Sequence, residues 1–178
     1  ISIITFSNYA ETLCELTYIN DNNKNYIKSL VNNLQTQGAT NIWAGINKGL
    51  DVFLNKENHI DTRIKSLLLL TDGIPSNHLS PPRGILETLE RKINLMKDNN
   101  IIIPNIYTFG FGNDLDTELL VDISKKGCGH FSYIPDSSFV GTIFIHYLAY
   151  INTLVCNQIY LDFEFMCSHF KNNVDIIA

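Results

Sequence analysis

The sequence has few charged residues: Asp, Glu, Lys and Arg make up 17% of its 178 residues, and the 18 acidic residues outnumber the 13 basic ones. Nucleic-acid affinity comes largely from clustered Lys and Arg, and no basic stripe is present, so we expect no nucleic-acid partner. Hydrophobic residues make up 45% of the chain, which is enough for one full core but cramped for two independent domains.

Other missing features exclude further classes. The four cysteines and five histidines show no metal-ligand spacing, and no Ser, Cys or Asp stands in a nucleophile signature, so we expect no enzyme. The Asn-rich chain has no Asn-x-Ser/Thr acceptor, which favours an intracellular, cytoplasmic location. The most apolar segment, Phe139 to Cys156, is interrupted by His146 and Asn152, so we expect a core helix and no membrane association.

The first 54 residues predict a hairpin followed by two helices. Apolar runs at Ile1 to Phe6 and Ala10 to Tyr18 predict the hairpin, with the second strand at an edge. The apolar face of each helix needs a sheet against which it can pack. Their predicted buried stripes are Tyr26, Leu30, Val31 and Leu34 in the first helix and Ile42, Ile46, Leu50, Phe53 and Leu54 in the second.

The rest of the chain alternates strands with helices, which predicts a doubly wound α/β fold: a mostly parallel, Rossmann-like sheet flanked by helices, with one antiparallel edge strand. The predicted strands are Ser66 to Thr71, buried on both faces, Ile101 to Gly110, regular after Pro104, Cys128 to Ile134, and Gln158 to Phe165. The predicted helices begin at the caps Ser80, Asn113 or Asp114, and Asp136, and the last runs from Phe139 to Val155.

Ligands of such sheets bind beyond the carboxyl ends of the strands, so the loops Gly38 to Asn41 and Asp72 to Ser80 are candidate functional loops. Thr40 offers a hydroxyl and Asp72 a carboxylate, and hard divalent cations prefer such oxygen ligands. Each residue also has a structural interpretation, Thr40 as a helix cap and Asp72 as a turn residue. Their joint appearance in this order favours a site.

The sequence resembles the von Willebrand factor A (VWA) family through three motifs: Gly38-Ala-Thr-Asn-Ile-Trp-Ala-Gly-Ile-Asn-Lys-Gly49, Leu67-Leu-Leu-Leu-Thr-Asp-Gly73 and Thr108-Phe-Gly-Phe-Gly112. The resemblance reaches about residue 155. It therefore implies a VWA-like domain at 1–155 and a separate C-terminal segment at 156–178. The runs at 80–84 and 134–144 look like an intracellular eukaryotic branch whose relatives carry U-box or Hint segments.

The resemblance implies a metal-ion-dependent adhesion site (MIDAS) built from three loops. Thr40 would coordinate Mg²⁺ directly, Asp72 would hold it through a water, and an acidic residue of a partner protein would complete the octahedron. Asn41, Gly73 and Asn113 would form the surrounding partner-binding surface. The family's Asp-x-Ser-x-Ser element is absent from the sequence, so we expect an incomplete site that binds Mg²⁺ weakly or not at all.

Ile1 to Ser7 matches the family's second strand, so the central first strand is expected to be missing. Gln158 to Phe165 could fill the gap, either by folding back or by a strand swap in a homodimer, or it could begin a following β-rich segment.

Three functions remain open: a protein-recognition module, a metal-independent scaffold in a ubiquitin-linked protein, and a nucleotide-binding or hydrolytic enzyme on a similar fold.

Overall fold

The computed structural model describes residues 1–36, 38–54 and 64–153. Within these residues the chain forms five strands and five α-helices, joined in places by short 3₁₀ turns. The strands are β1 (Ile3–Phe6), β2 (Ala10–Cys14), β3 (Ser66–Thr71), β4 (Asn105–Phe111) and β5 (Phe131–Ile134). The helices are α1 (Lys24–Asn32), α2 (Ile42–Asp51), α3 (Ile85–Asp98), α4 (Thr117–Lys126) and α5 (Val140–Thr153).

The described strands form two sheets. β1 and β2 make an antiparallel hairpin, and β3, β4 and β5 make a parallel sheet in that order. The α/β class, the parallel sheet and the antiparallel edge strand predicted from the sequence are confirmed. The regular ladder of the central strand begins at Asn105, directly after Pro104, because proline cannot donate a ladder hydrogen bond.

The parallel sheet lies between two helical layers. One face of β4 packs through Ile106 into a core formed with α2, α3 and α4, and the other packs through Tyr107 and Phe109 against α5. Six of the seven β4 residues are buried as a result. Most of the predicted helix stripes of α2 and α3 lies in the first core, where Ile42, Ile46, Leu50, Ile85, Leu89, Ile93 and Met96 are buried and Phe53 is partly buried. Leu54, predicted in the same stripe, is 39% exposed, because it ends the short 3₁₀ turn that follows α2.

Two further burial predictions were wrong. In α1 only Ile27 is fully buried, whereas Tyr26, Val31 and Leu34 are exposed, because the helix turns the face carrying Ile27 and Leu30 inward. The prediction that β3 is buried on both faces holds only for its α2 side, where Leu67 and Leu69 are buried, since Leu70 on the opposite face is 42% exposed.

Three helix starts differ from the sequence prediction. Asn41 caps α2 in place of Thr40, because its side chain accepts the Ala44 N–H at 3.0 Å. Asp116 caps α4 in place of Asn113 or Asp114, accepting the Leu119 N–H at 3.0 Å. Ser80 does not cap α3: the prolines that follow it form a turn closed by the Gly84 N–H and the Pro81 carbonyl, and α3 starts after Gly84.

The last helix begins as predicted near Asp136, whose carboxylate accepts the Ser138 N–H at 2.8 Å. The predicted strand Gln158 to Phe165 and the proposed boundary at residue 156 lie outside the described residues. In the part of the chain that is described, no helix has the length and apolar character needed to cross a membrane.

Candidate recognition site

The two candidate loops meet at one end of the parallel sheet. The Ser76 N–H donates to the Thr40 carbonyl at 3.0 Å, and the Thr40 N–H donates to Ser76 Oγ at 3.2 Å. A methyl group built at Gly73 would lie 3.2 Å from Thr40 Oγ1, so the Thr40 hydroxyl faces the turn that follows β3. The structure therefore brings together the loop of Thr40 and the loop of Asp72 and Gly73.

The hairpin turn forms a third side of this site. Asn8 Oδ1 accepts the Ala39 N–H at 2.8 Å, and the Asn8 carbonyl accepts Asn41 Nδ2 at 3.0 Å. Gly38 has a φ of 61°, which favours glycine, and a side chain there would also meet Asn8 Oδ1 at 2.7 Å. These bonds fix the Gly38 to Asn41 loop against the end of β1.

Thr40 and Asp72 keep their side-chain oxygens available. The Asn41 side chain caps the start of α2, so the Thr40 hydroxyl does not serve as the helix cap. Neither the Thr40 hydroxyl nor the exposed Asp72 carboxylate hydrogen-bonds or forms an ion pair with any residue the structure describes. Because neither side chain is engaged by a described residue and their loops are held together, both can meet a ligand without first breaking an internal contact.

Asn113 belongs to a neighbouring loop. It follows β4, and its Oδ1 accepts the Tyr133 hydroxyl at 2.9 Å, which directs the side chain toward β5. Tyr133 and Asn113 line a small cleft of about 340 Å³ with Gly112, Leu115, Thr117 and Phe131. Asn113 therefore lies at the same end of the sheet as Thr40, on the side away from the hairpin.

Thr40 and Asp72 are ligands of the type that a hard cation prefers, but two ligands are too few to complete its coordination shell. Thr40 and Asp72 offer only oxygen, the element that Mg²⁺ prefers, and Mg²⁺ commonly keeps several waters while binding to one or two carboxylates. Among the described residues, no three His, Cys, Asp or Glu side chains cluster as a metal site. These residues alone would leave most of an octahedral shell to water and to a partner.

Sequence reasoning did not single out Asn8 and Ser76 as site residues. Ser76 lies in a loop that was predicted to be functional, and Asn8 lies in the turn that follows β1. Both positions follow the carboxyl end of a strand, so the strand-end rule could have identified them. Their roles depend on contacts of 31 and 36 residues in sequence separation, which periodicity does not reveal.

A second cluster lies near the amino ends of the parallel strands. The His130 ring meets Tyr107 and Tyr150 edge-on, at ring-centroid distances of 5.1 and 4.9 Å. Burial lowers the pKa of His130 and raises that of Tyr107 because it disfavours the charged forms. The cluster joins α5 to β4 and β5 and is separate from Thr40.

Comparison with known proteins agrees with this architecture. The von Willebrand factor type A domain model matches residues 1–145, and the chain belongs to that family. Thrombospondin-related anonymous protein of Plasmodium berghei (strain Anka) is 29% identical over 139 residues, covering 75% of this chain and 21% of its own length. The chain thus spans about a fifth of that curated relative.

Solved structures share the fold at low sequence identity. A von Willebrand factor type A protein from Catenulispora acidiphila superposes with a TM-score of 0.67 at 19% identity, covering 84% of this chain and 33% of its own. Proximal thread matrix protein 1 of the mussel byssus, in a form with a zinc-occupied MIDAS motif, gives 0.56 at 21% identity, covering 82% and 33%. BatB of Bacteroides thetaiotaomicron gives 0.60 at 15% identity, covering 85% and 78%.

Proposed function

We propose that the chain is a protein-recognition module, not an enzyme, and that it binds an acidic residue of a partner at the surface formed by Thr40, Asp72 and Gly73. The observation that carries this proposal is the pair of oxygen-bearing loops joined by two Thr40–Ser76 hydrogen bonds. The site has loops held together by hydrogen bonds, an exposed carboxylate at Asp72 and a Thr40 hydroxyl that no described residue engages. Membership in the VWA family supports recognition as the general role.

Mg²⁺ would be held weakly by the Thr40 hydroxyl and, through water, by Asp72. When bound, it would supply positive charge toward a partner's Asp or Glu. The chain's own contribution is positional: Ser76 and Asn8 hold the Thr40 loop in place, and the absence of a side chain at Gly73 leaves the Thr40 hydroxyl uncovered. Asn41 and Asn113 flank the surface and offer it no formal charge.

The proposal is tested by binding of a short peptide with one central Glu, measured in Mg²⁺ and again in EDTA. We expect weak binding in Mg²⁺ that EDTA removes and that a Gln-for-Glu peptide lacks. The Thr40→Ala and Asp72→Ala variants should lose the Mg²⁺-dependent binding of the Glu peptide. Thr117→Ala, at the start of α4, and Asp114→Ala, in the loop after β4, remove an exposed threonine side chain and an exposed carboxylate, so they serve as matched controls.

Equal binding by the Glu and Gln peptides would contradict acidic recognition. Binding of the Glu peptide that survives EDTA and both site substitutions would instead support the scaffold interpretation, in which the domain presents its loops without metal.

A further inference from the structure

We infer that the chain binds an uncharged pyranose sugar in a cleft between β5 and α5. This inference goes beyond the proposed function, because it requires neither Mg²⁺ nor an acidic partner. The cleft has a volume of about 420 Å³, which lies within the range of about 300 to 1,000 Å³ that is typical of small-molecule sites. We call it the edge cleft, and its lining residues come from segments 130–133 and 143–150.

The β5 side of the edge cleft follows from the alternation of side chains along the strand. Phe131 packs in the core on the α2 side of the sheet, and Ile134 packs in the core on the α5 side. Ser132 therefore points toward α5, as does His130 just before the strand, whose ring meets that of Tyr150 at 4.9 Å. Within the described sheet β5 pairs only with β4, so the cleft opens at the edge of the sheet.

The α5 side supplies a buried floor and an exposed rim. Tyr147 is 5% exposed, and its ring packs edge-on against the buried ring of Tyr107 at 4.9 Å. His146 and Tyr150 are exposed, and their spacing of four residues places them on the same side of the helix. The edge cleft thus has an aromatic floor at Tyr147 and polar side chains at its rim.

Four polar side chains of the edge cleft have hydrogen-bonding capacity that the fold does not use. His130, Ser132, His146 and Tyr150 all line it, and none of their side chains hydrogen-bonds to a residue that the structure describes. A neutral imidazole offers one donor and one acceptor, and each hydroxyl can act as both. A ligand with several hydroxyl groups can meet these side chains together, whereas a ligand with one hydroxyl would leave most of them unpaired.

The edge cleft selects against charged ligands. Among the described residues that line it, none is Lys, Arg, Asp or Glu. An ion that entered would lose water without gaining a counter-charge, which is costly. Burial also lowers the pKa of His130, because it disfavours the imidazolium form. The ligand that fits this lining is therefore uncharged.

The aromatic rings supply the remaining part of the match. Tyr133, Tyr147 and Tyr150 line the edge cleft, and the faces of such rings are apolar and carry partial negative charge. A pyranose has hydroxyl groups around its ring and C–H groups on its face. Its hydroxyls can meet the four polar side chains while its C–H face packs on a tyrosine ring. A neutral sugar thus satisfies both parts of the lining.

NMR titration of the intact ¹⁵N-labelled chain in EDTA tests the inference, with the methyl α-pyranosides of glucose, galactose and mannose as probes. These sugars differ in which hydroxyls can meet the polar side chains. We expect at least one to bind and to shift the amide signals of segments 130–133 and 143–150. Glucuronic acid and glucosamine, which carry a charge, and p-cresol, which has one hydroxyl, should bind more weakly than that pyranoside.

Three variants assign the binding to the edge cleft. Tyr150→Leu removes a ring and a hydroxyl and should weaken binding about tenfold. His130→Phe keeps a ring but removes its nitrogens and should weaken binding about fivefold. The matched control is Tyr9→Leu, at a position 78% exposed in the hairpin turn, which should leave binding unchanged. Melting temperatures check that all three variants fold.

Three outcomes would overturn the inference. The first is that none of the three pyranosides binds. The second is that a charged sugar or p-cresol binds more tightly than every pyranoside, which would assign the edge cleft to another class of ligand. The third is that Tyr9→Leu weakens binding as much as Tyr150→Leu, which would place the sugar elsewhere on the chain.

Discussion

The strands of the hairpin and of the parallel sheet have similarly apolar sequences but differ in how deeply they are buried. No residue of β1 or β2 is fully buried, whereas six of the seven residues of β4 are. The difference lies in what covers them, since β4 has helical layers on both faces and β1 rests mainly on α2 through Phe6 and Ile4. A strand's burial depends on its neighbours as much as on its own hydrophobicity. The candidate site lies where the two regions meet.

The largest expected difference in unfolding free energy is between large-to-small substitutions of apolar residues in the two regions. Phe109→Ala removes a fully buried ring that stacks on Phe144 at 4.8 Å and should cost about 4 kcal/mol of unfolding free energy. Ile3→Ala, in half-buried β1, should cost about 1 kcal/mol. Urea denaturation measures both. Equal losses would show that the hairpin is as tightly packed as the sheet.

Buried hydrogen bonds give a smaller contrast. Thr108 Oγ1 donates to the Leu120 carbonyl at 2.8 Å in the core, so Thr108→Val should cost about 1.5 kcal/mol by removing that buried hydrogen bond. Ser2 Oγ donates to the Cys14 carbonyl at 2.9 Å in the half-buried hairpin. Ser2→Ala should cost about 0.5 kcal/mol, since water can replace the donor. Thermal unfolding of both variants measures which one loses more stability. A larger loss for Ser2→Ala than for Thr108→Val would contradict the prediction.

The junction between the regions is tested at Asn41. Asn41→Ala loses both the α2 cap and the bond to Asn8 and should cost about 1 kcal/mol. Asn41→Asp retains a capping acceptor and should cost less. Asp116→Ala, a cap remote from the hairpin, is the control and should cost about 1 kcal/mol by the same mechanism. If Asn41→Asp were as damaging as Asn41→Ala, the bond to Asn8 would outweigh the cap.

The smallest expected effect is a pH dependence on the α5 side of the sheet. Because burial holds the pKa of His130 below its ordinary 6.5, the unfolded chain binds a proton more readily than the folded one. His130 should therefore reduce stability as pH falls below about 6.5, and the native chain should keep its full stability above that pH. His130→Gln should make the melting temperature depend less on pH below about 6.5. If His130→Gln kept the wild-type dependence of melting temperature on pH, that dependence would belong to other titratable groups.

Much of the fold could be predicted because its signals are local. Buried runs such as Ser66 to Thr71, the helix stripes of α2 and α3, and the position of Pro104 gave the correct elements. The errors concern choices between adjacent residues and between faces. Asn41 rather than Thr40 caps α2, and Ile27 rather than Tyr26 turns inward, because tertiary contacts select among locally similar options.

The candidate site was predictable only in part. The strand-end rule selected the loops of Thr40 and Asp72, and Thr40 does lie beside Gly73, the residue that follows the exposed Asp72. Ser76 and Asn8, which hold the Thr40 loop, act through backbone groups and two short side chains across more than 30 residues. Such contacts leave no periodic pattern, so three-dimensional information was needed to find them.

The most direct test of the recognition site is isothermal titration of Mn²⁺ into the chain, with Mn²⁺ standing in for Mg²⁺ at oxygen ligands. We expect weak binding that disappears in Thr40→Ala and in Asp72→Ala and persists in the controls Thr117→Ala and Asp114→Ala. Binding that is undiminished in both Thr40→Ala and Asp72→Ala, or no binding by the unaltered chain, would contradict a cation site formed by these two loops.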